Sequence, residues 1–311
     1  MKTAFSTPIL QWYAQNKRDL PWRHSPTPYH VLISEIMLQQ TQVLRVKEKF
    51  KEFRAKFPTI QDLASASKAE VISTWSGMGY NRRALLLHRF AQVIVQEHNG
   101  TIPDTVAELL KLPGIGPYTA GAIASFAYNR PEPAVDVNVR RIYQRYFKGI
   151  DRGLPMGIAD EKQLYALVKS TIPNHKSRDF HNALMDFGSL ICTRDEPECN
   201  DCPLQKTCTF FPIFRKDKAN ALFHTKKRKE PGVNESGRFI PNRIFRGRIV
   251  EFTRRNDGKP VTVSALGMSI KSDYSAHDKD WLLSICAKLQ HDGLIAYSLQ
   301  GLTLHLFLAK D

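Results

Sequence analysis

Long apolar runs are missing from this sequence of 311 residues. None approaches the roughly 18 to 20 residues that a membrane-spanning helix needs. The N-terminal stretch MKTAFSTPILQWYAQNKRDL has no apolar core of the kind that a signal peptide carries. We therefore expect a soluble intracellular protein, cytoplasmic and nucleoid-associated if bacterial, with no membrane partner. A chain of this length should fold into two or three compact units, each with its own core.

Acidic residues are scarce. The chain has 30 Asp and Glu against 45 Lys and Arg, which gives a formal net charge of +15 at pH 7. Because phosphate neutralisation dominates nucleic-acid affinity, this balance favours a polyanionic partner. Charge alone leaves DNA, RNA and an acidic membrane surface open.

A disulfide framework is not expected from the five cysteines. Cys286 stands alone, whereas Cys192, Cys199, Cys202 and Cys208 are separated by only six, two and five residues, with no histidine among them. In a reducing compartment such a cluster is more typical of a metal site, and four soft donors this close suit either a tetrahedral zinc or a cubane iron–sulfur cluster. Zinc ribbons usually present two Cys-x2-Cys arms and only one occurs here, although the spacing leaves zinc open.

Strand patterns are missing from the first two thirds of the chain. Up to about residue 208 the sequence reads as consecutive short helices, one of which begins with a capping box made by Ser67 and Glu70. Another has a single apolar stripe at helical spacing, formed by Val139, Ile142, Tyr143, Tyr146 and Phe147. This part is therefore predicted to be mainly α.

The last third has a different character. Residues 209–237 are predicted to be a basic linker that leads into a basic helix around 242–255. VTVSALGMSI and DKDWLLSICAKLQHDG predict two more helices, the second stopped by Gly293, and the alternation around Gln300 and Gly301 predicts a hairpin. Three helices and a hairpin predict a small winged-helix-like α+β unit over residues 238–311.

The segment LPGIGPYTAGAI, residues 112–123, is typical of a tight reversal between two helices. Gly114 and Gly116 permit the turn, and Pro117 can open the second helix with its free amides pointing outward. Such a hairpin can seat a phosphate, although an ordinary turn between packed helices would use the same glycines.

Two carboxylates stand out in their local sequence. Glu35 lies in VLISEIMLQQT, where apolar neighbours should raise its pKa and make it a proton donor near neutrality, unless it occupies the surface of an amphipathic helix. Asp136 lies where an extended segment enters a helix, so it is a natural N-cap, a role compatible with chemistry. Trp22, Tyr80 and Tyr118 could equally be core aromatics.

Taken together, these segments resemble the helix-hairpin-helix superfamily of base-excision DNA glycosylases, and within it the MutY adenine glycosylases. The resemblance covers about residues 5–208 and rests on LPWR, PYHVLISEIMLQQTQV, GMGYNRRALLLH, LPGIGPYTAGAI, VDVNVRRI and the cysteine loop. It implies an all-helical core over 1–208, with a six-helix-barrel module at about 24–135 and a cluster-bearing module at about 1–23 and 136–208. The four cysteines would then hold a four-iron four-sulfur cluster.

The resemblance also implies roles for individual residues. Glu35 matches the acid that protonates the flipped adenine, and Asp136 matches the carboxylate that stabilises the oxocarbenium-like sugar, the paired-carboxylate logic of glycoside cleavage applied to an N-glycosidic bond. Tyr118 and Asn138 are expected to support the pocket and are counted with the catalytic residues. The residues that match DNA and substrate contacts are Trp22, Arg23, Gln39, Gln40, Tyr80, Gly114, Gly116 and Thr119.

Position 118 bears on the type of reaction. Relatives that also nick the strand place a lysine there for Schiff-base chemistry, and Tyr118 cannot supply that amine. The resemblance therefore implies a monofunctional hydrolase that removes adenine mispaired with guanine or 8-oxoguanine from double-stranded DNA, and we expect it to be a monomer.

The sequence also departs from the family pattern. Val137 stands where a glycine is usual after the aspartate, and His181 and Asn182 replace a more usual Asn-Gln or Asn-Glu, so both changes are expected at the pocket wall. Residues 238–311 do not read as the Nudix-like module with which MutY proteins recognise 8-oxoguanine. A thymine or uracil mismatch glycosylase and a non-catalytic DNA-binding protein on the same scaffold are the alternatives. The LQQTQ string favours adenine, and intact Glu35 and Asp136 favour an enzyme.

Overall fold

The computed structural model describes residues 2–150, 161–216, 230–256 and 258–309. Its helices are α1 Lys2–Asn16, α2 Pro21–His24, α3 Pro28–Leu38, α4 Val43–Lys56, α5 Ile60–Ser65, α6 Lys68–Thr74, α7 Arg82–Glu97, α8 Val106–Leu109, α9 Pro117–Ala122, α10 Val137–Tyr143, α11 Glu161–Thr171, α12 Ser177–Leu190, α13 Phe211–Lys216, α14 Asn242–Asn256, α15 Val263–Ile270 and α16 Lys279–His291. Helices α9 and α10 continue into the π-helical turns Ile123–Ala127 and Gln144–Lys148, and single 3-10 turns lie at Gln205–Thr207 and Ala276–Asp278. Within these described ranges, no helix has the length and apolar character that crossing a membrane requires.

Five short strands complete the described elements. They are β1 Gly232–Glu235, β2 Arg238–Pro241, β3 Val261–Thr262, β4 Ile295–Gln300 and β5 Thr303–Leu308. Strands β1 and β2 form an antiparallel pair with Gly232 opposite Pro241. The other three form an antiparallel sheet in the order β3-β5-β4, and Ile295 of β4 pairs with Leu308 of β5.

The chain divides into two compact units, of which the first comprises residues 1–35 and 102–227. Its core is aromatic: the Phe5 ring lies 5.0 Å from the Tyr143 ring and 4.7 Å from the Tyr146 ring. In α10 and the π-helical turn that continues it, the predicted apolar stripe is buried at Val139, Ile142, Tyr143 and Tyr146. Complete burial of one such large apolar side chain stabilises a fold by about 1.5–3 kcal/mol, so this stripe holds α10 against the helices that pack on it.

The second unit comprises residues 36–101 and 228–311. In its first part the predicted capping box is present: the Ser67 side chain accepts from the Glu70 amide, and the Glu70 carboxylate accepts from the Ser67 amide. Its C-terminal part follows the order helix, strand, helix, helix and two-stranded hairpin that defines a winged helix, with α15 starting at the Thr262 N-cap. The fold predicted for this part is confirmed.

The winged helix shares its core with the earlier part of the same unit. Ile72 of α6 belongs to one buried cluster with Phe245, Leu266, Leu282 and Leu304. The segment predicted as a linker over 209–237 contains α13 and β1, and residues 217–229 lie outside the described residues. The division into 1–208, 209–237 and 238–311, with its two modules inside 1–208, stays a prediction.

Candidate active site

Glu35 lies in the second half of α3, and its side chain is only 6% exposed. Leu32, Ile36 and Met37 beside it along the helix are buried as well. Tyr118 donates its hydroxyl hydrogen to Glu35 Oε2 at 2.6 Å. Burial raises the pKa of Glu35 to about 7, and the charge of Asp136 adds to the rise, while Tyr118 and Arg23 reduce it. The carboxyl group can therefore hold a proton near neutral pH.

Tyr118 reaches Glu35 from the glycine-rich hairpin. Gly114 adopts the left-handed conformation with φ 77°, and Gly116 is the N-cap of α9, followed by Pro117 in the first turn. Burial and the charge of Glu35 raise the pKa of Tyr118 well above its ordinary value, so the phenol keeps its proton. It acts as a hydrogen-bond donor to the acid and has no nucleophilic amine to offer.

Asp136 is the N-cap of α10 and has a dense set of donors. Its Oδ1 accepts from the backbone amides of Asn138 and Val139, both at 2.8 Å, and its Oδ2 accepts from Asn138 Nδ2 at 2.7 Å. Burial nevertheless raises the pKa of Asp136, because it outweighs these hydrogen bonds. Its charge acts on Glu35. The structure thus places the two predicted carboxylates and Tyr118 in one electrostatically coupled group.

Close backbone packing positions the segment that leads to Asp136. A side chain at Gly121 of α9 would place its Cβ 2.0 Å from the Pro133 carbonyl oxygen, so only glycine permits this approach. Ala134 donates its amide hydrogen to Nε2 of the fully buried His181 at 3.2 Å. The His181 Nδ1–H then donates to the Ser177 carbonyl at 2.8 Å. Burial lowers the pKa of His181 to about 4, so the ring is neutral and supports the segment as an acceptor.

The two departures from the family pattern lie in different surroundings. His181 lies beneath the Asp136 segment, as its contact with Ala134 requires. Val137, by contrast, is 74% exposed at the first position of α10. Its side chain therefore faces solvent, and only His181 is packed against the segment that carries the aspartate.

A chain of hydrogen bonds runs from Asp136 to the cysteine loop. Asn138, which donates to Asp136, accepts from Arg141 Nη2 at 2.8 Å. Arg141 in turn donates through Nε to the Cys192 carbonyl at 2.8 Å and through Nη2 to the Gly188 carbonyl at 2.7 Å. The predicted supporting residue Asn138 is therefore held between the carboxylate and the loop.

Trp22 and Arg23 lie in α2 and are both largely enclosed. Trp22 is buried, and Arg23 forms a two-pronged ion pair with the fully buried Asp186, at 2.8 and 2.9 Å. Burial would raise the pKa of Asp186, but Arg23, together with Arg18, holds it below its ordinary value. Arg23 thus has a structural partner, while its charge also acts on Glu35.

The remaining predicted DNA contacts differ in exposure. In the hairpin, open space surrounds the position where a Gly116 Cβ would lie, whereas Thr119 is buried. In the second unit, Tyr80 is 41% exposed and Gln40 is exposed, and both adopt positive φ angles, 46° and 56°. Non-glycine residues rarely adopt this conformation, and strain of this kind is common at binding sites.

One buried arginine, Arg83, holds the backbone next to both Gln40 and Tyr80. Arg83 Nη1 donates to the carbonyls of Ile36 at 2.8 Å, Met37 at 3.0 Å and Gln39, and its Nη2 donates to those of Met78 and Gly79, each at 3.2 Å. Its guanidinium carbon also lies 5.5 Å from the centroid of the Tyr80 ring. Burial lowers the pKa of Arg83 to about 10, so it stays charged at neutral pH.

The four clustered cysteines lie between α12 and α13 and are partly buried, with free thiols. Burial raises the pKa of Cys202 to about 12, and the charges of the other three sulfurs add to the rise, which indicates that the four lie near one another. Arg145 is 2% exposed and donates to the Thr193 carbonyl at 2.6 Å, to the Arg194 carbonyl at 3.0 Å and to Cys192 Sγ at 3.5 Å. Among the described residues, no group of three or more Cys, His, Asp or Glu side chains is arranged to hold a metal ion.

Comparison with known proteins identifies the family of this chain. Residues 33–164 match the family described as HhH-GPD superfamily base excision DNA repair protein. A solved thermostable thymine-DNA glycosylase is similar with a TM-score of 0.63 and 32% identity, covering 68% of this chain and 97% of that one. The chain belongs to the HhH-GPD superfamily. The predicted helix-hairpin-helix glycosylase fold is thereby confirmed.

Two curated relatives within the HhH-GPD superfamily are adenine DNA glycosylases. The one from Buchnera aphidicola is 42% identical over 208 residues, which is 67% of this chain and 59% of that protein. The one from Homo sapiens is 41% identical over 216 residues, which is 66% of this chain and 39% of that protein. The chain thus spans about three fifths of the length of the first relative and two fifths of the second.

Sequence reasoning missed three arginines that hold backbone next to predicted site residues: Arg83 in the second unit, and Arg141 and Arg145 in the first. Each is an arginine whose guanidinium donates to backbone carbonyls. The only signal was their position, since Arg83 lies in GMGYNRRALLLH and Arg141 in VDVNVRRI, two of the segments that carry the family resemblance. In a chain with an excess of basic residues, a buried arginine looks like any other basic residue until its contacts are known.

Proposed function

We propose that this chain is a monofunctional DNA glycosylase that hydrolyses the N-glycosidic bond of adenine mispaired with guanine or 8-oxoguanine in base-excision repair. The observation that carries the proposal is the coupled group of Glu35, Tyr118 and Asp136, in which burial raises the pKa of one carboxyl to about 7 and the charge of a second carboxylate adds to the rise. The identity to adenine DNA glycosylases supports the choice of base.

In the proposed reaction, an adenine outside the base stack accepts the proton of Glu35 as the bond between its ring nitrogen and the sugar breaks. The electron pair of that bond leaves with the base, and Asp136 offsets the positive charge that develops at the anomeric carbon. A water molecule then adds to that carbon and releases one proton, so the products are adenine and an abasic site. General acid catalysis of this kind contributes about 10²- to 10⁴-fold.

Tyr118 supports hydrolysis alone. A glycosylase that also nicks the strand needs an amine to form a Schiff base, whereas the phenol here keeps its proton and donates a hydrogen bond to Glu35. We therefore expect no strand cleavage by the protein itself. The abasic product should break only when alkali is added.

The donor set of Cys192, Cys199, Cys202 and Cys208 fits a four-iron four-sulfur cluster. It consists of four thiols without carboxylates or histidine, and a buried cation, Arg145, lies beside Cys192 to offset the negative charge of thiolate ligands. A single zinc ion would need all four sulfurs within about 2.3 Å of one point, whereas a cubane distributes them over four irons. When bound, such a cluster would cross-link the loop to which Arg141 and Arg145 donate.

A second candidate is a thymine mismatch glycosylase, favoured by the similarity to the solved thymine-DNA glycosylase. One assay separates the two. Purified protein is incubated with duplexes that carry A opposite G, A opposite 8-oxoguanine, T opposite G or U opposite G, and strand breaks are compared with and without alkali. We expect breaks only with adenine and only after alkali. Release of thymine or uracil instead would establish the second candidate, and breaks without alkali would contradict the monofunctional assignment.

A further inference from the structure

The second unit contains a cleft whose lining includes none of Glu35, Tyr118 and Asp136. It has a volume of about 1100 Å³ and is formed by three stretches of the chain, residues 39–45, residues 76–86 and the winged helix from 243 to 294. Small-molecule pockets occupy about 300–1,000 Å³, so this cleft has room for an extended ligand. Most of its winged-helix lining comes from α14, which lies outside the segment that matches the family.

The lining of this cleft is strongly basic. It includes two carboxylates, Glu251 and Asp292, and eight arginines, namely Arg45, Arg82, Arg83, Arg243, Arg246, Arg248, Arg254 and Arg255. We call this surface the arginine cleft. Its acids are engaged by the better enclosed arginines, since Arg254 binds Glu251 at 2.7 Å and Arg246 binds Asp292 at 2.5 Å. A strong positive excess therefore remains, which attracts a polyanion.

Three arginines of the cleft expose most or about half of their side chains. Arg82 is 70% exposed, Arg255 is 75% exposed and Arg243 is 48% exposed. Their ion pairs lie at the surface: Arg243 binds Glu230 at 2.8 Å, Arg255 binds Glu251 at 3.2 Å, and Arg82 lies 4.0 Å from Asp292. Pairs of this kind are weak, so these guanidinium groups can exchange a carboxylate for a phosphate at little cost.

Gly247 in the middle of α14 is a second, independent observation. Glycine in a helix interior lowers helix stability, so it usually has a packing reason. Here nothing lies within 4 Å of the position that its Cβ would occupy, and the residue lines the cleft between Arg246 and Arg248. No neighbour in the described part of the protein requires a glycine. Its absent side chain leaves the helix backbone open to close approach by a ligand.

The cleft also presents an aromatic surface. Tyr80, exposed and held in a left-handed conformation, is part of its lining together with Gln39 and Gln40. Arg243 of α14 lies close enough to Tyr80 for the phenol, after Glu230, to raise the pKa of its guanidinium. A basic groove with an exposed aromatic ring is the usual combination for nucleic acid, in which phosphates meet cations and bases meet a ring face.

We infer that the arginine cleft is a DNA-binding surface, in which α14 of the winged helix holds the phosphodiester backbone of the DNA that Tyr80 contacts. The inference rests on the proposed function, because that function makes duplex DNA the polyanion that the chain meets. Arg82, Arg243 and Arg255 contact phosphates directly, and Gly247 lets the DNA backbone approach the helix.

The test compares two triple variants of the full chain, each of which removes three positive charges. The first is Arg82→Gln, Arg243→Gln and Arg255→Gln in the cleft. The control is Arg238→Gln, Lys259→Gln and Lys288→Gln, three exposed residues of the same unit outside the cleft lining. Binding to a labelled, undamaged duplex is measured by fluorescence anisotropy over a range of salt concentrations, and adenine release by the wild type is measured in parallel.

We expect the cleft variant to bind about 10- to 100-fold more weakly, with the slope of log K against log salt smaller by about 2 to 3, since each phosphate contact contributes about 0.9. The control should lose less than about one unit of slope. Equal losses in both variants would overturn the inference, because binding would then follow net charge alone. Stronger competition by duplex RNA of the same sequence than by DNA would also overturn it.

Gly247→Ala provides a test that removes no charge. It should raise the melting temperature, because alanine favours the helix, yet weaken duplex binding about five- to tenfold. Unchanged or tighter binding would remove the argument from close approach.

If the wild type releases no adenine but the cleft variant loses salt dependence, the proposed function fails and the cleft stands. If the wild type releases adenine and the cleft variant binds like the control, the cleft fails and the function stands.

Discussion

The surroundings of Glu35 and Asp136 illustrate two ways of placing a carboxylate in one protein unit. Glu35 lies inside a helix among apolar side chains, and Tyr118 donates a hydrogen bond to it. Asp136 lies at a helix N-terminus with two backbone amides and the Asn138 side chain as donors. Burial raises the pKa of both groups, but these donors favour the charged form of Asp136. Two acids with different environments can thus take different roles, one as a proton donor and one as a stabilising anion.

Of the substitutions at these two carboxylates, Glu35→Gln should slow adenine release the most. It keeps the shape of the side chain but removes the proton that leaves with the base, so single-turnover adenine release should fall by about 10³-fold or more. Duplex binding should stay within about twofold, because glutamine keeps the shape of a side chain that is only 6% exposed. Exposed Glu48→Gln is the matched control and should behave as wild type. Normal turnover in Glu35→Gln would remove the acid assignment.

Asp136→Asn should slow adenine release by about 10²- to 10³-fold, since the variant loses the anion that faces the developing positive charge. Asparagine caps helices about as well as aspartate, so the free energy of unfolding should change by less than about 1 kcal/mol. Single-turnover kinetics and urea denaturation of the same preparation separate the two roles. An unchanged rate would leave Asp136 as a helix cap only.

These two residues also mark how far sequence reasoning could go. The capping position of Asp136 and the apolar surroundings of Glu35 are local properties, and both could be read from neighbouring residues. The Tyr118 hydrogen bond to Glu35 spans 83 positions, and the contact of Ala134 with His181 spans 47. Pairs so far apart in the chain depend on packing. The family resemblance proposed a supporting role for Tyr118, but it did not predict its partner.

The same limit applies to larger elements. The winged helix could be predicted because each of its helices and its terminal hairpin has its own periodicity and turn residues. The packing of this winged helix on residues 36–101 could not be predicted. Ile72, which joins the shared core, lies in a segment with no distinctive local pattern. The arginine cleft, which depends on that packing, was invisible in the sequence beyond a local excess of positive charge.

The pH profile gives a third test. If a protonated Glu35 is required, the rate of base release should fall about tenfold for each pH unit above its pKa of about 7. Tyr118→Phe removes a hydrogen bond that favours the ionised acid, so the midpoint of the profile should move to higher pH and the maximal rate should fall several-fold. Single-turnover rates across the pH range measure both effects. An unmoved midpoint in Tyr118→Phe would show that the phenol does not act on the acid.

Two buried groups, Glu35 and His181, should change the free energy of unfolding with pH in opposite directions. The folded-state pKa of Glu35 is raised from 4.5 to about 7, so its contribution to stability is lost as pH rises through that interval. The pKa of His181 is lowered from 6.5 to about 4, so its contribution is lost as pH falls through that interval. The two intervals overlap between pH 4.5 and 6.5, so the two contributions largely offset each other there, and wild-type stability should change little with pH over that range.

Glu35→Gln should cancel only the loss on the alkaline side, because glutamine has no charge to bury. Relative to wild type, its free energy of unfolding should be higher at about pH 8 than at about pH 5 by roughly 2–3 kcal/mol, the value that a shift of this size implies. Urea denaturation at the two pH values measures the difference, with Glu48→Gln as the control. A gain that is the same at both pH values would mean that the carboxyl is not desolvated in the folded protein, and its proposed role as a neutral acid would then lose its physical basis.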